Sequence, residues 1–407
     1  MKVVIIGAGV VGVTTAYFAA RRGHQVTLLD RNAEPAAGAS FANAGQLSYS
    51  YTDALADPKI LPRLPAMLLG RDAGMRILPD PALLPWGLRF LRECTRARSD
   101  ANTVKLLQLA ADSAQALEAL LREVTIEFDH RAAGKLMLTA SLRTLAGLRR
   151  RAELKRACGV RVDIVDAGEC RALEPALAGW GSRIVGGVYA RGDDAGDARA
   201  FTRGLYDHLR NSGVCRVERG VEALGLLRHR GRPGHRVAGV RTRDGEIAAD
   251  AVIVCAGAGT PALLRGSGLC VPIYPLKGYS VTYESGSNPP QASITDLDRR
   301  IVFANLNGRI RLAGLADCVG MDSSIDAGRV GDLIRLGRAA MPHAADFDAP
   351  SQVWAGLRPT TPSGLPLVGS TKLRGLYLNA GHGALGWTLA CGTARQVAQQ
   401  LDAGAAQ

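Results

Sequence analysis

The first thirty residues alternate between apolar and polar stretches in a way that predicts one compact unit. The run V-V-I-I predicts a buried parallel strand over Lys2–Ile6. Helical spacing follows over residues 12–22, and Q-V-T-L-L-D predicts a second strand over Gln25–Asp30. Strand, helix and strand in this order predict a βαβ unit with parallel strands.

The remaining pattern predicts further helices and many short strands. Helical spacing predicts helices over residues 106–124, 142–158 and 388–401, and one that Asp197 caps and that ends at residue 210. Apolar runs predict strands over residues 186–189, 220–227, 237–242, 251–256, 274–283, 310–315 and 376–379. The strand at 251–256 indicates a return to the first sheet, whereas 274–283 and 310–315 indicate a second sheet. Recurrent prolines predict an irregular stretch with short helices over residues 58–86.

Length, charge and cysteine spacing limit the class of protein. The 407 residues exceed the about 250–300 at which one core stops growing, so we expect two domains. Lys and Arg exceed Asp and Glu by 13, which favours anionic partners without choosing among them. The eight cysteines are too widely spaced for a zinc or CxxC site, so we predict no metal and a reducing, cytoplasmic location. Residues 3–20 carry no charge, but their glycines favour a strand, turn and helix over a membrane-spanning segment.

The first glycine motif predicts a dinucleotide site. Gly7, Gly9 and Gly12 form G-x-G-x-x-G after a strand and before a helix, where a pyrophosphate can approach the backbone. Asp30 ends the second strand and can accept a hydrogen bond from a ribose 2′-hydroxyl. An acid at this position argues against a 2′-phosphate, so the motif favours NAD or FAD over NADP.

A second G-x-G-x-x-G occurs near the C-terminus, at Gly381, Gly383 and Gly386. No acid-ended strand follows it, so we do not expect a second dinucleotide there. A helix N-terminus suits negative charge, such as that of a reduced flavin. The alternative is a glycine turn that serves close packing alone. The small, polar loop 38–48 fits beside a cofactor or in solvent.

Candidate catalytic groups are few. No G-x-S-x-G or HExxH motif is present, and G-D-D-A-G-D lacks the spacing of a calcium loop. Hydride chemistry on a flavin requires mainly that a substrate be held, and an arginine binds a carboxylate through two hydrogen bonds. Arg358, in a loop that Pro359 and Pro362 stiffen, is our candidate, and an ordinary surface arginine is the alternative.

Seven stretches of the sequence together resemble one family. They are V-V-I-I-G-A-G-V-V-G-V, S-F-A-N-A-G-Q, L-E-P-A-L, D-D-A-G-D with Phe201 and Thr202 after it, Y-P-L-K-G-Y-S, W-A-G-L-R-P-T-T-P-S-G-L-P-L-V-G and L-N-A-G-H-G-A-L-G-W-T-L-A-C-G. The chain thereby resembles the D-amino acid oxidase superfamily of flavoproteins, and most closely the small, catalytic subunits of bacterial D-amino acid dehydrogenases.

The resemblance implies a GR2-type, two-domain α/β FAD-dependent oxidoreductase. It implies a Rossmann-like FAD-binding domain from residues 1–50, 190–265 and 352–407, and a substrate domain with an antiparallel sheet from residues 51–189 and 266–351. It also implies oxidation of a D-amino acid by hydride transfer from the α-carbon to flavin N5. Water would then hydrolyse the imino acid to a 2-oxo acid and ammonia.

The same resemblance implies the site residues. Arg358 matches the position that holds the substrate carboxylate. The FAD contacts that we expect are Gly7, Ala8, Gly9, Val10, Val11, Gly12, Asp30, Arg31, Ser40, Asn43, Ala44, Gly45, Gln46, Val221, Ala256, Gly257, Gly381, His382, Gly383, Leu385, Gly386, Trp387 and Thr388. Related oxidases carry a tyrosine where we expect Phe303, so Tyr51 or Tyr279 is predicted to assist the carboxylate instead.

Three alternatives to this function stay open. They are an NAD-only enzyme, an enzyme for D-proline, hydroxyproline or another secondary amino acid, and a tRNA-modifying flavoprotein. Aromatic residues are only 5% of the chain and no basic stripe alternates with them, so we expect no nucleic acid partner.

The electron acceptor is predicted from residues 59–98. Eight basic residues, three acidic residues and many leucines there fit the surface of an anionic membrane. We therefore expect a quinone or respiratory-chain acceptor and peripheral attachment to the inner face of the bacterial cytoplasmic membrane. The alternative is that these leucines face a core.

Overall fold

The computed structural model describes residues 1–228 and 236–405. Its strands are β1 (Lys2–Ile6), β2 (Gln25–Asp30), β3 (Gln46–Leu47), β4 (Met75–Ile77), β5 (Lys135–Thr139), β6 (Asp163–Asp166), β7 (Gly186–Ala190), β8 (Asp194–Ala195), β9 (Cys215–Arg219), β10 (Gly225–Arg228), β11 (Val237–Arg241), β12 (Glu246–Ala248), β13 (Ala251–Val254), β14 (Tyr274–Ser285), β15 (Ser293–Asp296), β16 (Ile301–Leu306), β17 (Arg309–Cys318), β18 (Ala345–Thr360), β19 (Leu367–Ser370) and β20 (Leu376–Ala380).

Helices connect and cover these strands. The α-helices are α1 (Val10–Arg21), α2 (Leu64–Leu68), α3 (Leu83–Glu93), α4 (Arg96–Glu123), α5 (Leu142–Ala157), α6 (Ala167–Leu173), α7 (Ala198–Asn211), α8 (Thr260–Leu263), α9 (Ala327–Ala340) and α10 (Gly386–Ala405). Short 3₁₀ helices occupy Pro58–Arg63, Pro175–Arg183, Gly257–Gly259 and Gly383–Leu385.

The first sheet has the order β19, β20, β13, β1, β2, β9, and all its neighbours are parallel except the β19–β20 pair. Successive residues of β1 point to opposite faces. Val3 and Ile5 therefore pack with α1, α7 and α10, while Val4 and Ile6 pack with the small sheet β10–β11–β12. Both faces are covered, which explains why V-V-I-I has no polar position. The predicted bounds of β1 and β2 are confirmed.

Helix α4 differs most from its predicted extent. It begins at Arg96, where the Thr95 side chain accepts a hydrogen bond from the backbone N–H of Arg98, ten residues before the predicted start at residue 106. Its inner residues Ala116, Leu117 and Leu120 join the core formed by α1 and α10. A helix that the sequence assigned to the substrate domain thus packs against the helices that cover the first sheet.

The second sheet has the order β18, β14, β17, β16, β15, β5, β7, β6, and β4 pairs with β17. One of its faces forms a core with α9 and α6. The edge strand β18 runs antiparallel to β14 and includes residue 352, where the FAD-binding domain was predicted to resume. Its prolines argue against a strand, but an edge strand tolerates proline. The expectation that Arg358 lies in a loop is therefore wrong.

Exposed leucines concentrate in the irregular region before α4. We call them the leucine patch: Leu61, Leu68, Leu69, Leu78, Leu84, Leu88 and Leu91. The last three lie on one face of α3, while Trp86 and Phe90 stack on its inner side with ring centroids 5.2 Å apart. The alternative that the apolar residues of this stretch face a core therefore holds for Met67, Leu83 and Phe90 but not for the leucine patch. No helix within residues 1–228 and 236–405 is long and apolar enough to span a bilayer.

A buried arginine ties the second sheet to the first. Arg311, on β17, donates from Nη1 to the carbonyl of Asn43 at 3.3 Å and from Nη2 to Asp197 at 3.1 Å. Asp197 also accepts hydrogen bonds from the first backbone amides of α7, as the predicted cap requires. One carboxylate thus neutralises a buried cation and begins a helix.

A buried lysine makes a second connection. Nζ of Lys135, on β5, donates to Gln46 Oε1 and to Ser48 Oγ, both at 2.7 Å, and lies 4.6 Å from the centre of the Tyr51 ring. Gln46 Nε2 donates in turn to the carbonyl of Phe303 at 3.2 Å. Burial lowers the pKa of Lys135 to about 8.

Replacing Asp197 with alanine should destabilise the fold by about 3–5 kcal/mol, because Arg311 loses its buried counter-ion and α7 loses its cap. Urea unfolding measures this change. Asp207→Ala, at an exposed position of the same helix, is the control and should change the free energy of unfolding by less than about 0.5 kcal/mol. Equal effects of the two substitutions would contradict this account.

Lys135→Met should change how stability depends on pH. The lysine pKa is 10.5 ordinarily and about 8 in the fold, so between these values the unfolded chain binds more protons. The cost of burying the charge is present below pH 8 and disappears as the pH rises toward 10.5. The free energy of unfolding of the parent, minus that of Lys135→Met, should therefore increase from pH 7.5 to pH 10. Lys105→Met, at an exposed position on α4, is the matched control. If the difference in the free energy of unfolding between the parent and Lys135→Met does not change with pH, the lowered pKa of Lys135 is excluded.

Candidate functional site

The first glycine turn leaves backbone amides free. Gly7 has a φ of +111°, and a Cβ on Gly12 would lie 1.7 Å from the carbonyl oxygen of Gly7, so α1 sits directly on the turn. Within the described residues, the N–H groups of Gly9, Val11 and Gly12 have no protein acceptor. Free amides at a helix N-terminus fit a phosphate group.

The acid of the second strand lies at this turn. Asp30 Oδ2 accepts from the Ala8 amide at 2.6 Å, and its backbone carbonyl accepts from the Val221 amide at 2.9 Å. Arg31, next to it, is exposed. On the other side of the turn, the Cys255 carbonyl that precedes Ala256 and Gly257 lies against Gly7. The structure thus brings together several of the residues that were predicted to contact the cofactor.

Loop 38–48 runs from this turn to the second sheet. Ser40 Oγ accepts from the Val10 amide at 3.0 Å, so the loop begins at the N-terminus of α1. Asn43 Oδ1 accepts from the Gly45 amide at 3.0 Å and orders the bend around Ala44. The Gln46 side chain is already hydrogen-bonded to Lys135 and the second sheet, so it joins the two sheets rather than facing a cavity.

The second glycine turn also ends in a helix N-terminus. Gly381 has a φ of +82°, and the amides of Gly383 and Ala384 have no acceptor among the described residues. Thr388 Oγ1, in the first turn of α10, accepts from the Ser48 amide at 3.0 Å and joins this helix to loop 38–48. The free amides fit a negatively charged or electron-rich group.

Side chains near this turn have other roles than cofactor contact. The ring of His382 is buried against Thr393 Oγ1 at 3.0 Å, and burial lowers its pKa to about 3, so it is neutral. The Trp387 indole donates to the Gly196 carbonyl at 3.0 Å and lies in the core beside α7. Leu385 packs in a small cluster with α4. Only backbone groups of these residues are placed to meet a ligand.

Arg358 lies on β18 near this helix. An isolated bridge joins Thr360 to His382, which brings the end of β18 to the N-terminus of α10. The guanidinium covers Gly278 on β14, where a Cβ would lie 2.2 Å from Nη2, and Nη1 donates to the Leu315 carbonyl at 3.1 Å. No carboxylate of the described residues pairs with it.

The surroundings of Arg358 suit an anionic ligand. Burial lowers the pKa of the guanidinium, and Asp317 opposes this change from a distance. Arg358 as a whole residue is nevertheless only partly buried, and within the described residues its Nε and Nη2 are not among the buried polar atoms that lack a partner, so the guanidinium borders a space that solvent reaches. An uncompensated cation in such a space is a carboxylate-binding position.

An irregularity in β17 orients the Leu315 carbonyl, which accepts the hydrogen bond from Arg358. The pairing of β14 with β17 shifts register between Lys277 and Tyr279, and Leu315 opposite has a φ of +55°. A left-handed conformation costs a non-glycine residue about 1–3 kcal/mol, so the surrounding structure must hold Leu315 in it. The bulge turns the Leu315 carbonyl toward the guanidinium.

Two aromatic residues of the predicted site lie on the other face of the second sheet. Facing residues of paired strands share a face, so Arg358 lies with Leu276 and Gly278, whereas Tyr279 lies with Ala355. The Tyr279 hydroxyl donates to Asp317 Oδ2 at 2.8 Å, and Phe303 is buried in the core with α9. The expectation that Tyr279 assists the carboxylate is therefore not supported, whereas the equivalence of Phe303 with the family's tyrosine stays a prediction.

Tyr51 remains a candidate. Its ring lies between the ammonium groups of Lys135 and Lys155, at 4.6 and 5.3 Å from the ring centre. Burial raises the pKa of its hydroxyl, which has no hydrogen-bond partner within the described residues. The ring is partly exposed, so this hydroxyl is free to meet a ligand.

Sequence reasoning missed the residues that shape the site without a motif of their own. They are Lys135, Gly278, Leu315 and Trp354. Gly278 lies in Y-P-L-K-G-Y-S and Trp354 begins W-A-G-L-R-P, so a strand assigned through either stretch would have revealed their common face. Among the described residues, no group of His, Cys, Asp and Glu is placed to hold a metal ion.

The chain is similar to known proteins over nearly its whole length. A family model described as FAD dependent oxidoreductase matches residues 2–400. The chain is 41% identical over 415 residues to D-amino acid dehydrogenase 2 of Ralstonia nicotianae, with 98% of this chain and 96% of that protein covered. It is 35% identical over 413 residues to D-amino acid dehydrogenase of Vibrio cholerae, with 99% and 96% covered.

Solved structures share the fold at lower identity. Glycine oxidase from Geobacillus kaustophilus superposes with a TM-score of 0.76 at 23% identity, over 99% of this chain and 94% of that one. L-proline dehydrogenase from P. horikoshii gives a TM-score of 0.76 at 18% identity, over 99% and 93%. The two-domain α/β fold expected from the sequence is therefore confirmed. Because the family model and the relatives extend over almost every residue, the chain belongs to the family of FAD-dependent oxidoreductases that includes the bacterial D-amino acid dehydrogenases.

Proposed function

We propose that this protein deaminates D-amino acids oxidatively to 2-oxo acids and ammonia, and that a quinone-type acceptor receives the electrons. The observation that carries the proposal is the guanidinium of Arg358, which has no carboxylate partner among the described residues and lies beside the N-terminus of α10. The similarity to D-amino acid dehydrogenases supports the choice of substrate.

In this proposal FAD lies between the two glycine turns. The amides of Gly9, Val11 and Gly12 would hold the pyrophosphate, and Asp30 would accept a hydrogen bond from a ribose hydroxyl. Loop 38–48 and the amides of Gly383 and Ala384 border the flavin ring. When bound, FAD supplies the two-electron acceptor for the α-C–H bond of the substrate. We propose residues 1–50, 190–265 and 352–407 as the cofactor domain and residues 51–189 and 266–351 as the substrate domain, except that residues 352–360 pair in the second sheet and α4 packs with α1 and α10 of the cofactor domain.

The protein itself orients the substrate. Arg358 binds the carboxylate through the N–H groups that Leu315 leaves free, and Tyr51 is the candidate for a second polar contact. A carboxylate fixed in this way places the α-carbon above the second sheet. Holding the reacting atoms in one geometry is the main contribution that a protein makes to hydride transfer.

The leucine patch is the proposed contact with an anionic membrane surface. Arg71, Arg89 and Arg92 lie among its leucines, are exposed, and form no ion pair within the described residues. Each basic residue near such a surface adds about 1 kcal/mol, and each buried leucine about 1.5–3 kcal/mol. Attachment there would bring the electron acceptor of the membrane close to the enzyme.

Arg358→Ala should lower kcat/KM for D-amino acids by about 10- to 100-fold, mainly through KM, because a charge-assisted contact worth about 1.5–3 kcal/mol is lost. Arg358→Lys should restore part of this loss, since one ammonium cannot form the paired contact. The experiment compares D-alanine, D-proline, hydroxyproline isomers, sarcosine and glycine with the FAD-loaded protein.

Flavin content should be unchanged in Arg358→Ala, and Arg149→Ala, at an exposed position of α5 away from the leucine patch, is the control for loss of an arginine. Unchanged kinetics in Arg358→Ala would show that another cation holds the carboxylate. If only cyclic amino acids are turned over, the protein is instead a secondary amino acid dehydrogenase.

The protein should sediment with phosphatidylglycerol liposomes at low salt and less at high salt. Leu84→Ser combined with Leu88→Ser should weaken this binding by about tenfold or more, because two apolar side chains are removed from α3. Leu142→Ser, at a leucine that is 74% exposed outside the patch, is the control. Failure to bind liposomes, together with stoichiometric peroxide instead of quinone reduction, would contradict membrane attachment.

A further inference from the structure

Two adjacent glycines lie on the side of the second sheet that faces the proposed substrate. Gly278 on β14 and Gly356 on β18 face each other in register, so two adjacent positions carry no side chain. The Arg358 guanidinium covers the first glycine, and the Trp354 indole covers the second, where a Cβ would lie 2.0 Å from the ring. The Cβ positions of two paired residues are about 5 Å apart. The guanidinium over Gly278 and the indole over Gly356 are therefore neighbours.

Trp354 lies on the same sheet face as Arg358. Its partner on β14 is Ser280, whose Oγ donates to the Ala42 carbonyl at 2.6 Å, in the loop that runs from the first glycine turn. This face therefore looks toward the cofactor half of the protein, and the opposite face forms the core with α9.

The indole itself is only partly buried. Trp86 and Trp387 donate their indole N–H to the carbonyls of Thr360 and Gly196, but the Trp354 N–H has no acceptor within the described residues. A large aromatic ring with a free N–H and exposed surface is unusual for a residue that serves packing alone. The absence of a side chain on Gly356 is what allows the ring to lie flat on the strand.

We propose that Trp354 is the specificity-determining residue of the substrate pocket, where its indole is the wall that limits the length of the substrate side chain. This inference rests on the proposed function. The guanidinium and the indole cover the two glycines, so a substrate with its carboxylate on Arg358 lies above these two groups, and its side chain meets the indole. The wall favours small, apolar side chains and excludes bulky ones.

The test compares kcat/KM for D-phenylalanine and D-alanine. In Trp354→Ala the ratio should rise at least tenfold, because the ring volume becomes available to the larger side chain, and Trp354→Phe should give an intermediate ratio. Val353→Ala, on the opposite face of β18, is the matched control and should leave the ratio unchanged. Flavin content and Tm verify that each variant is folded, and the milder Trp354→Phe keeps the test valid if Trp354→Ala does not fold.

A double substitution distinguishes steric exclusion by the Trp354 ring from a general disturbance of the substrate pocket. Gly356→Ala displaces the indole and should change the ratio in the parent, but not in Trp354→Ala, where no ring remains to be displaced. Additive effects of the two substitutions, or an unchanged ratio in both Trp354 variants, would overturn the proposal.

A binding measurement keeps this proposal distinct from the proposed function. The increase in Tm produced by acetate should be the same in the parent and in Trp354→Ala, while that produced by phenylacetate should be larger in Trp354→Ala. This pattern would support the wall even if no D-amino acid is turned over. Equal responses of both proteins to phenylacetate would exclude the wall even if D-amino acids are substrates.

Discussion

The uncompensated charge of Arg358 is the constraint on which the site depends. A guanidinium taken out of water is stable only with a counter-ion or with access to one, and here the described residues supply one carbonyl. Three local features accommodate it: a bare Gly278 beneath the group, a left-handed Leu315 that turns its carbonyl toward it, and an open space in front. Each of these features costs free energy in the protein without a ligand. A bound carboxylate offsets this cost.

Other buried cations show what full compensation looks like in the same fold. Arg329 donates to both oxygens of Asp317, and Arg311 donates to Asp197 and two further oxygens. The charge of Lys135 is only partly compensated, because its partners are neutral oxygens and an aromatic ring. Burial correspondingly lowers the pKa of Lys135. The degree of compensation, rather than the net charge of the chain, therefore separates structural cations from the one available to a ligand.

The sequence predicted best what depends on neighbouring residues. The bounds of β1 and β2, the cap at Asp197 and both glycine turns follow from local spacing, and the structure has them where expected. It predicted less well what depends on distant pairing. Whether Tyr279 shares a face with Arg358 is decided by the register of β14 against β18, and no local pattern reports that register. The position of α4 likewise depends on contacts with α1 and α10, which lie far from it in sequence.

The stretch W-A-G-L-R-P shows how one strand combines these requirements. In an extended strand, positions separated by two share a face, so Trp354, Gly356 and Arg358 point the same way. Only a glycine between the two large side chains lets both lie along the sheet instead of standing away from it. Arg358 and Trp354 are thus placed by the same alternation, and the register with β14 adds Gly278 as the second empty position. A shift of one residue in that register would turn the guanidinium into the core, where its unpaired charge could not be accommodated.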